Sequence, residues 1–277
     1  MLLDMGQRNF LASCIVMLTL PWGVCAETGQ LPKVVKLSYD TYAGPFYVMS
    51  AAVNMKLEER GYRISASTKT EGFAAWMFSW RSQVFTEGRR DGSILIPVRH
   101  QVQSYWQDTN RLLRLRYDDN RPIIEAMAPQ HDPSKRDLVA ELLRNDTVDP
   151  LTMIAQLFLK MAQGDSSGGQ YRIFDGRRRY DINIVHCVKD KLEKNISAVY
   201  RGAAQACALQ LDRIAGFWKK KTRVGQRLLT PTLWMASPLE NVPAIPVKFE
   251  AGSSYGSFRI HLTQVEIDGK MREIAKD

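Results

Sequence analysis

The sequence predicts a mainly β fold: a many-stranded antiparallel open barrel or half-barrel with one packed helix near 150–163. Three observations carry that prediction. Apolar and polar side chains alternate with a period of two over most of the chain, turn-forming residues punctuate the alternation, and one stretch of helical period interrupts it.

The first segment stands apart. Arg8 precedes an apolar run from Phe10 to Val24, and Val24-Cys25-Ala26 puts small residues where a signal peptidase cuts. A cleaved signal peptide over 1–26 is expected, leaving 27–277 as a single β-rich domain. An uncleaved anchor fits less well, because about 15 apolar residues broken by Pro21 fall short of the roughly 20 that span a bilayer. Leu11-Ala12-Ser13-Cys14 has the form of a lipidation motif, but the apolar core follows Cys14 instead of preceding it. Export leaves Cys187 and Cys207, and an oxidising compartment predicts a disulfide between them. Closing a loop of about 20 residues stabilises by about 3 kcal/mol. Two buried thiols are the alternative.

The strands follow in order. Val35, Leu37, Tyr39 and Thr41 alternate with Lys36, Ser38 and Asp40. Tyr62, Ile64, Ala66 and Thr68 alternate with Arg63, Ser65, Ser67 and Lys69, and Phe258, Ile260 and Leu262 with Arg259, His261 and Thr263. Between such runs stand Ala43-Gly44-Pro45, Glu59-Arg60-Gly61, Asp91-Gly92, Asp118-Asp119-Asn120, Asp175-Gly176 and Tyr255-Gly256. The helix opens at Asp149 as N-cap with Pro150 in its first turn, and Gly164 stops it. Leu151, Ile154, Ala155, Phe158 and Met161 share its core face, with Leu157 off that face. A shorter helix is expected over 138–144. Ile96-Pro97-Val98-Arg99 is echoed by Ile245-Pro246-Val247-Lys248, and proline within a strand predicts an edge or a bulge at both places.

Residues 173–185, IFDGRRRYDINIV, read as a hairpin turning on Asp175-Gly176. That register puts Arg178 on the apolar face with Tyr171, Ile173, Tyr180, Ile182 and Ile184, and sets Arg172 opposite Arg179. A cation on an apolar face needs a carboxylate or a ligand anion, and two facing arginines need a bridging anion, supplied by Asp181 or from outside. Arg172, Arg178 and Arg179 are therefore candidate anion-binding residues. The plainer reading is a hairpin whose arginine heads reach solvent past the rim.

Several pieces resemble the bacterial domain-of-unknown-function family 3108: Ser79-Trp80-Arg81-Ser82 followed by Glu87-Gly88-Arg89, Pro97-Val98-Arg99, Asp149-Pro150-Leu151, and Phe174 to Asp181. The resemblance covers most of 34–265. It implies an exported β-rich protein of a Gram-negative bacterium, hence a periplasmic location. It also implies kinship with envelope-integrity proteins and, more distantly, with open barrels that carry lipoproteins. It brings no catalytic residues.

The remaining chemistry is sparse. His100, His131, His186 and His261 show no metal-ligand spacing, and neither a phosphate-binding loop nor a nucleophile elbow occurs. No cofactor, metal or catalytic residue is therefore predicted. Residues 72–81, GFAAWMFSWR, form the richest aromatic cluster. Core packing is the ordinary use of such rings, and the functional alternative is an apolar ligand platform in which Trp76, Met77 and Phe78 contact acyl or aromatic groups, with Trp76, Trp80 and Arg81 as candidate ligand-binding residues. Lys219-Lys220-Lys221 with Arg223, after Phe217-Trp218, fits a loop at a membrane surface. The net charge of +9 points to an anionic envelope partner (lipid, lipopolysaccharide or cell-wall polymer) and does not require nucleic acid. These signals imply a non-enzymatic envelope protein. A lipid or lipoprotein carrier is the first alternative, and a cell-wall or glycan hydrolase using carboxylates such as Glu71 or Glu87 is the second.

Overall fold

Alternation becomes strand almost throughout. The structure is a computed structural model describing residues 31–107, 109–165, 168–193, 200–219, 231–240, 242–253 and 256–274. The expected signal peptide and Lys220, Lys221 and Arg223 lie outside the described residues. The first meander comprises β1 (Val34–Ala43), β2 (Phe46–Leu57), β3 (Gly61–Thr70), β4 (Trp80–Asp91), β5 (Ile94–Trp106), β6 (Thr109–Asp118) and β7 (Arg121–Ala128). A short helix, α1 (Gly72–Met77), links β3 to β4. After α2 (Glu141–Arg144) and α3 (Pro150–Ala162) come β8 (Gly169–Phe174), β9 (Arg179–Leu192), β10 (Gly202–Ala215), β11 (Thr232–Ala236), β12 (Ile245–Ser253), β13 (Gly256–Ile267) and β14 (Lys270–Glu273). β1 pairs with both β2 and β13, so the two meanders fuse into one antiparallel sheet running from β7 through β1 to β8, with β14 beside β13. The sheet curls into a nearly closed barrel.

The seam between edge strands β7 and β8 is bridged by the connector that leads to α3. Asp146 N donates to Asn120 O in the β6–β7 turn (3.0 Å), Val148 N donates to Arg172 O (2.9 Å), and Phe174 N donates to Val148 O (3.0 Å). Phe174 then packs with Leu113, Leu115, Tyr117 and Val139. The expected helix over 138–144 shrinks to one turn, Glu141–Arg144, because this connector is committed to lying along the seam.

α3 fills the interior. Leu151, Ala155, Phe158 and Leu159 join Val35, Leu37, Met55, Tyr62, Ile64 and Leu262 in the main core. Leu157, expected off the core face, is buried on the other side against Tyr171, Ile173, Ile184 and Met235. Burial of each such side chain is worth about 1.5–3 kcal/mol. The helix start is fixed by Asp149, whose carboxylate accepts from Leu151 N and Thr152 N and from the hydroxyls of Thr86 and Thr152. His100 Nδ1 lies 3.2 Å from the same carboxylate and 2.8 Å from Thr86 Oγ1. All of these groups are buried, so one carboxylate ties α3 to β4 and β5.

Both echoed prolines sit at bulges, and neither is on an edge. The β4–β5 register shifts where Gly88 meets Pro97, and the β11–β12 register shifts where Met235 meets Pro246. A bulge leaves one residue out of the ladder, which spares the missing proline donor. Cys187 and Cys207 are directly opposite on β9 and β10, with Cα atoms 4.0 Å apart, and form the disulfide.

The 173–185 hairpin needs a correction. Phe174 pairs with Arg179, so Asp175 to Arg178 form a four-residue loop instead of a two-residue turn on Asp-Gly. Asp175 holds the loop by accepting from Arg177 N (3.0 Å) and Arg178 N (2.7 Å). Arg178 therefore leaves the apolar face, and Arg172 faces Asp181 instead of Arg179. The remaining face assignments stand, because a two-residue slip preserves side-chain parity.

Candidate functional site

At the seam, a pocket of about 450 Å³ opens between β5–β6 and the β8–β9 loop. Val84, Val102, Leu113 and Leu151 give it an apolar floor, and Arg111, Arg136, Arg177 and Arg178 surround it with Trp218 and Tyr180. Against these four arginines its lining holds one carboxylate, Asp175, which is already engaged by Arg178 Nε at 2.7 Å. Arg177 Nη2 donates to Pro129 O (2.7 Å), and the Arg136 guanidinium lies 4.1 Å from the centre of the Trp218 ring. Burial, and then the neighbouring arginines, push the Arg136 and Arg177 guanidiniums below their ordinary range, with Asp175 opposing. Like charges held together in a partly apolar setting raise the energy of the empty pocket and lower it when an anion enters.

Two glycines allow this closeness. A Cβ on Gly176 (φ +85°) would lie 2.3 Å from Leu113 Cδ2, and one on Gly216 (φ +80°) would lie 2.0 Å from Arg177 O. A side chain at Gly176 would push the loop away from β6, and one at Gly216 would push Arg177 away from the end of β10.

The candidates named from sequence are dispersed. Arg178 lines the pocket, joined by its neighbour Arg177. Arg179 is buried outside it, bonded to Asp181 and to Leu143 O, where it anchors the seam connector. Arg172 lies 4.0 Å from Asp146. Trp76, Trp80 and Arg81 belong to another region: Trp80 pairs with Trp106, and the Arg81 guanidinium sits 4.5 Å from the centre of the Tyr105 ring. The expectation that residues 72–81 fill the core fails for Phe73, Trp76 and Met77, which are exposed; α3 already occupies the interior, and α1 is a turn on the barrel end. Arg111, Arg136 and Trp218 were missed. Nothing local marks them, because Arg111, Arg136, the Arg177-Arg178 pair and Trp218 come from segments at least 25 residues apart.

Two other features compete less well. An open groove of about 500 Å³ crosses the outer face of β1 to β5, lined by Ser38, Asn54, Ser65, Ser67, Gln83 and Gln103 among others. Its charged lining residues, Lys36 and Glu266, bridge one another at 2.9 Å, so no net field is left for an anion. Glu71 accepts from Ser50 Oγ and pairs with Lys69; these hydrogen bonds hold its carboxyl below the usual range, which suits a carboxylate and not a general acid. Glu87 lies between Arg63 and Arg99, each at 3.7 Å. Among the described residues, no three His, Cys, Asp or Glu side chains are grouped to hold a metal.

The fold and seam pocket define a β-barrel-like protein with a basic, partly apolar opening. The family model for the protein of unknown function DUF3108 matches residues 38–263, and the chain belongs to that family. It is similar in fold to the β-barrel-like protein of domain of unknown function DUF1849 from Brucella abortus, with a TM-score of 0.51 and 10% identity over 87% of this chain and 100% of that one. No curated protein matches.

Proposed function

We propose that the chain is a non-enzymatic periplasmic envelope protein that binds an anionic amphiphile in the seam pocket. The observation that carries this reading is four arginines gathered over an apolar floor with one carboxylate among them. That pairing suits a ligand with a charged headgroup and a short buried apolar segment. Export through a signal peptide ending at Ala26 accords with the disulfide, which suits an oxidising compartment. The carrier alternative has less support, since α3 occupies the space where acyl chains would travel.

The test is calorimetric titration with dodecyl phosphate, using dodecyl maltoside and inorganic phosphate as controls. Arg111→Gln with Arg136→Gln should weaken dodecyl phosphate binding by about tenfold or more, because each charge-assisted hydrogen bond contributes about 1.5–3 kcal/mol. Neither change strands a carboxylate in the pocket, so the fold should persist. Equal affinity of wild type and double variant, or tighter binding of the maltoside, would reject the reading.

A further inference from the structure

The two ends of the barrel differ in chemistry. At one end the tight turns are charged or strongly polar: Glu58-Glu59-Arg60, Asp91-Gly92, Asp118 to Arg121, and Asp268-Gly269-Lys270. The other end carries the β1–β2 turn, α1, the β5–β6 and β12–β13 connections, the β8–β9 loop and the end of β10. Six aromatic rings are exposed among the described residues, and all six are here: Phe46, Phe73, Trp76, Trp106, Trp218 and Phe258. Trp76 is 81% exposed, and Phe46 and Phe73 are 65% and 64% exposed. The Phe73 and Trp76 ring centres lie 5.5 Å apart, and Trp106 stacks on Phe78 at 5.9 Å, so several of these rings project as paired tips.

Exposed rings on one strand would be unremarkable, since apolar surface is common on soluble proteins. Rings on five separate connections are different, because the strand order spreads them around one rim of the barrel. A protein partner is usually met through one continuous, closely packed patch with a buried centre. A bilayer presents a plane, and tryptophan and phenylalanine at its interface bury their rings among headgroups and acyl chains. Basic residues stand behind the rings. Arg81 follows α1 at the start of β4, and Arg111, Arg136 and Arg177 line the pocket on the same rim. Cations set back from interfacial aromatics attract an anionic leaflet.

We infer that this end of the barrel docks on an anionic lipid bilayer, with Phe46, Phe73, Trp76 and Trp106 entering the interface. The inference does not rest on the pocket reading, although the pocket is lined by residues of the same rim and so faces the lipid.

Co-sedimentation with vesicles of phosphatidylglycerol and phosphatidylethanolamine tests it, with phosphatidylcholine vesicles as reference and sedimentation velocity run alongside without lipid. The purified chain should bind the anionic vesicles and lose binding as salt rises. Phe73→Ser with Trp76→Ser should reduce binding by about tenfold or more. Both rings are solvent-facing, so the melting curve should not move. Lipid chains brominated near the headgroup should quench tryptophan emission in the wild type, and quench it less in Trp76→Phe. Wild-type affinity in the double serine variant, or failure of the wild type to bind anionic vesicles at low salt, would overturn the inference. So would a dimer in lipid-free sedimentation that the double variant abolishes, since a second copy would then cover the rings.

Discussion

Replacing Asp149 with alanine should destabilise the protein by about 3–5 kcal/mol, because several buried donors lose their acceptor at about 1–3 kcal/mol each. Asp149 caps α3, accepts the Thr86 and Thr152 hydroxyls and faces His100, all in the buried core. Asparagine should cost less, because it still accepts at the cap, yet it lacks the charge that the surrounding donors stabilise. Urea denaturation of the two variants measures both values. Acid supplies a second readout. Burial alone would raise the Asp149 carboxyl, but the His100 charge and the hydrogen bonds prevail and hold it below its ordinary value. A lowered folded-state value means that the carboxylate's contribution is complete above about pH 4, the unfolded value, and is lost as pH falls through the folded one. Wild type should thus lose stability below about pH 4 more steeply than Asp149→Asn. Parallel acid curves would show that the carboxylate is not what locks the helix in place.

The second large effect concerns the disulfide. Cys187→Ala with Cys207→Ala should cost about 3 kcal/mol, the loop-closure contribution for this spacing. For a chain of this size that corresponds to a fall of roughly 10 °C in Tm. The bridge joins β9 to β10 beside Leu157, Tyr171, Ile173 and Met235, so the region where β8 and β9 meet α3 should loosen first. Calorimetry of the double variant, and of the wild type under dithiothreitol, should give matching decreases. An unchanged Tm in both would assign the bridge no part in stability.

What the sequence made legible follows from how local each signal is. The α3 boundaries were readable because Asp149, Pro150 and Gly164 act within one turn of the helix ends. Strand faces were readable because alternation survives an error in turn length. The 175–178 loop is two residues longer than Asp-Gly alone demands, and Tyr171, Ile173, Tyr180, Ile182 and Ile184 still share a face. Leu157 was misplaced because helical period predicts one apolar face, and a helix enclosed by a barrel has core on two sides. Arg178 lost its expected place for the same reason that the loop grew: Asp175 captures it within the turn, while Arg179 is buried beside Asp181 and bonded to the seam connector. Most of the pocket was not legible. Arg111, Arg136 and Trp218 meet Arg177 and Arg178 only because the sheet curls until its edges approach, and no spacing in the chain encodes that closure. The exposed rings of α1 were misread as core, because composition cannot distinguish a barrel whose interior is vacant from one already filled by a helix.

Photolabelling tests the central claim most directly. A dodecyl phosphate carrying a diazirine on its chain, activated in the presence of the purified protein and mapped by peptide mass spectrometry, should mark residues 111–113, 128–136, 175–180 and Trp218, and excess dodecyl phosphate should compete it away. Labelling confined to residues 73–77 or to the outer groove of β1 to β5, unaffected by competitor, would contradict the seam as the place where an anionic amphiphile is held.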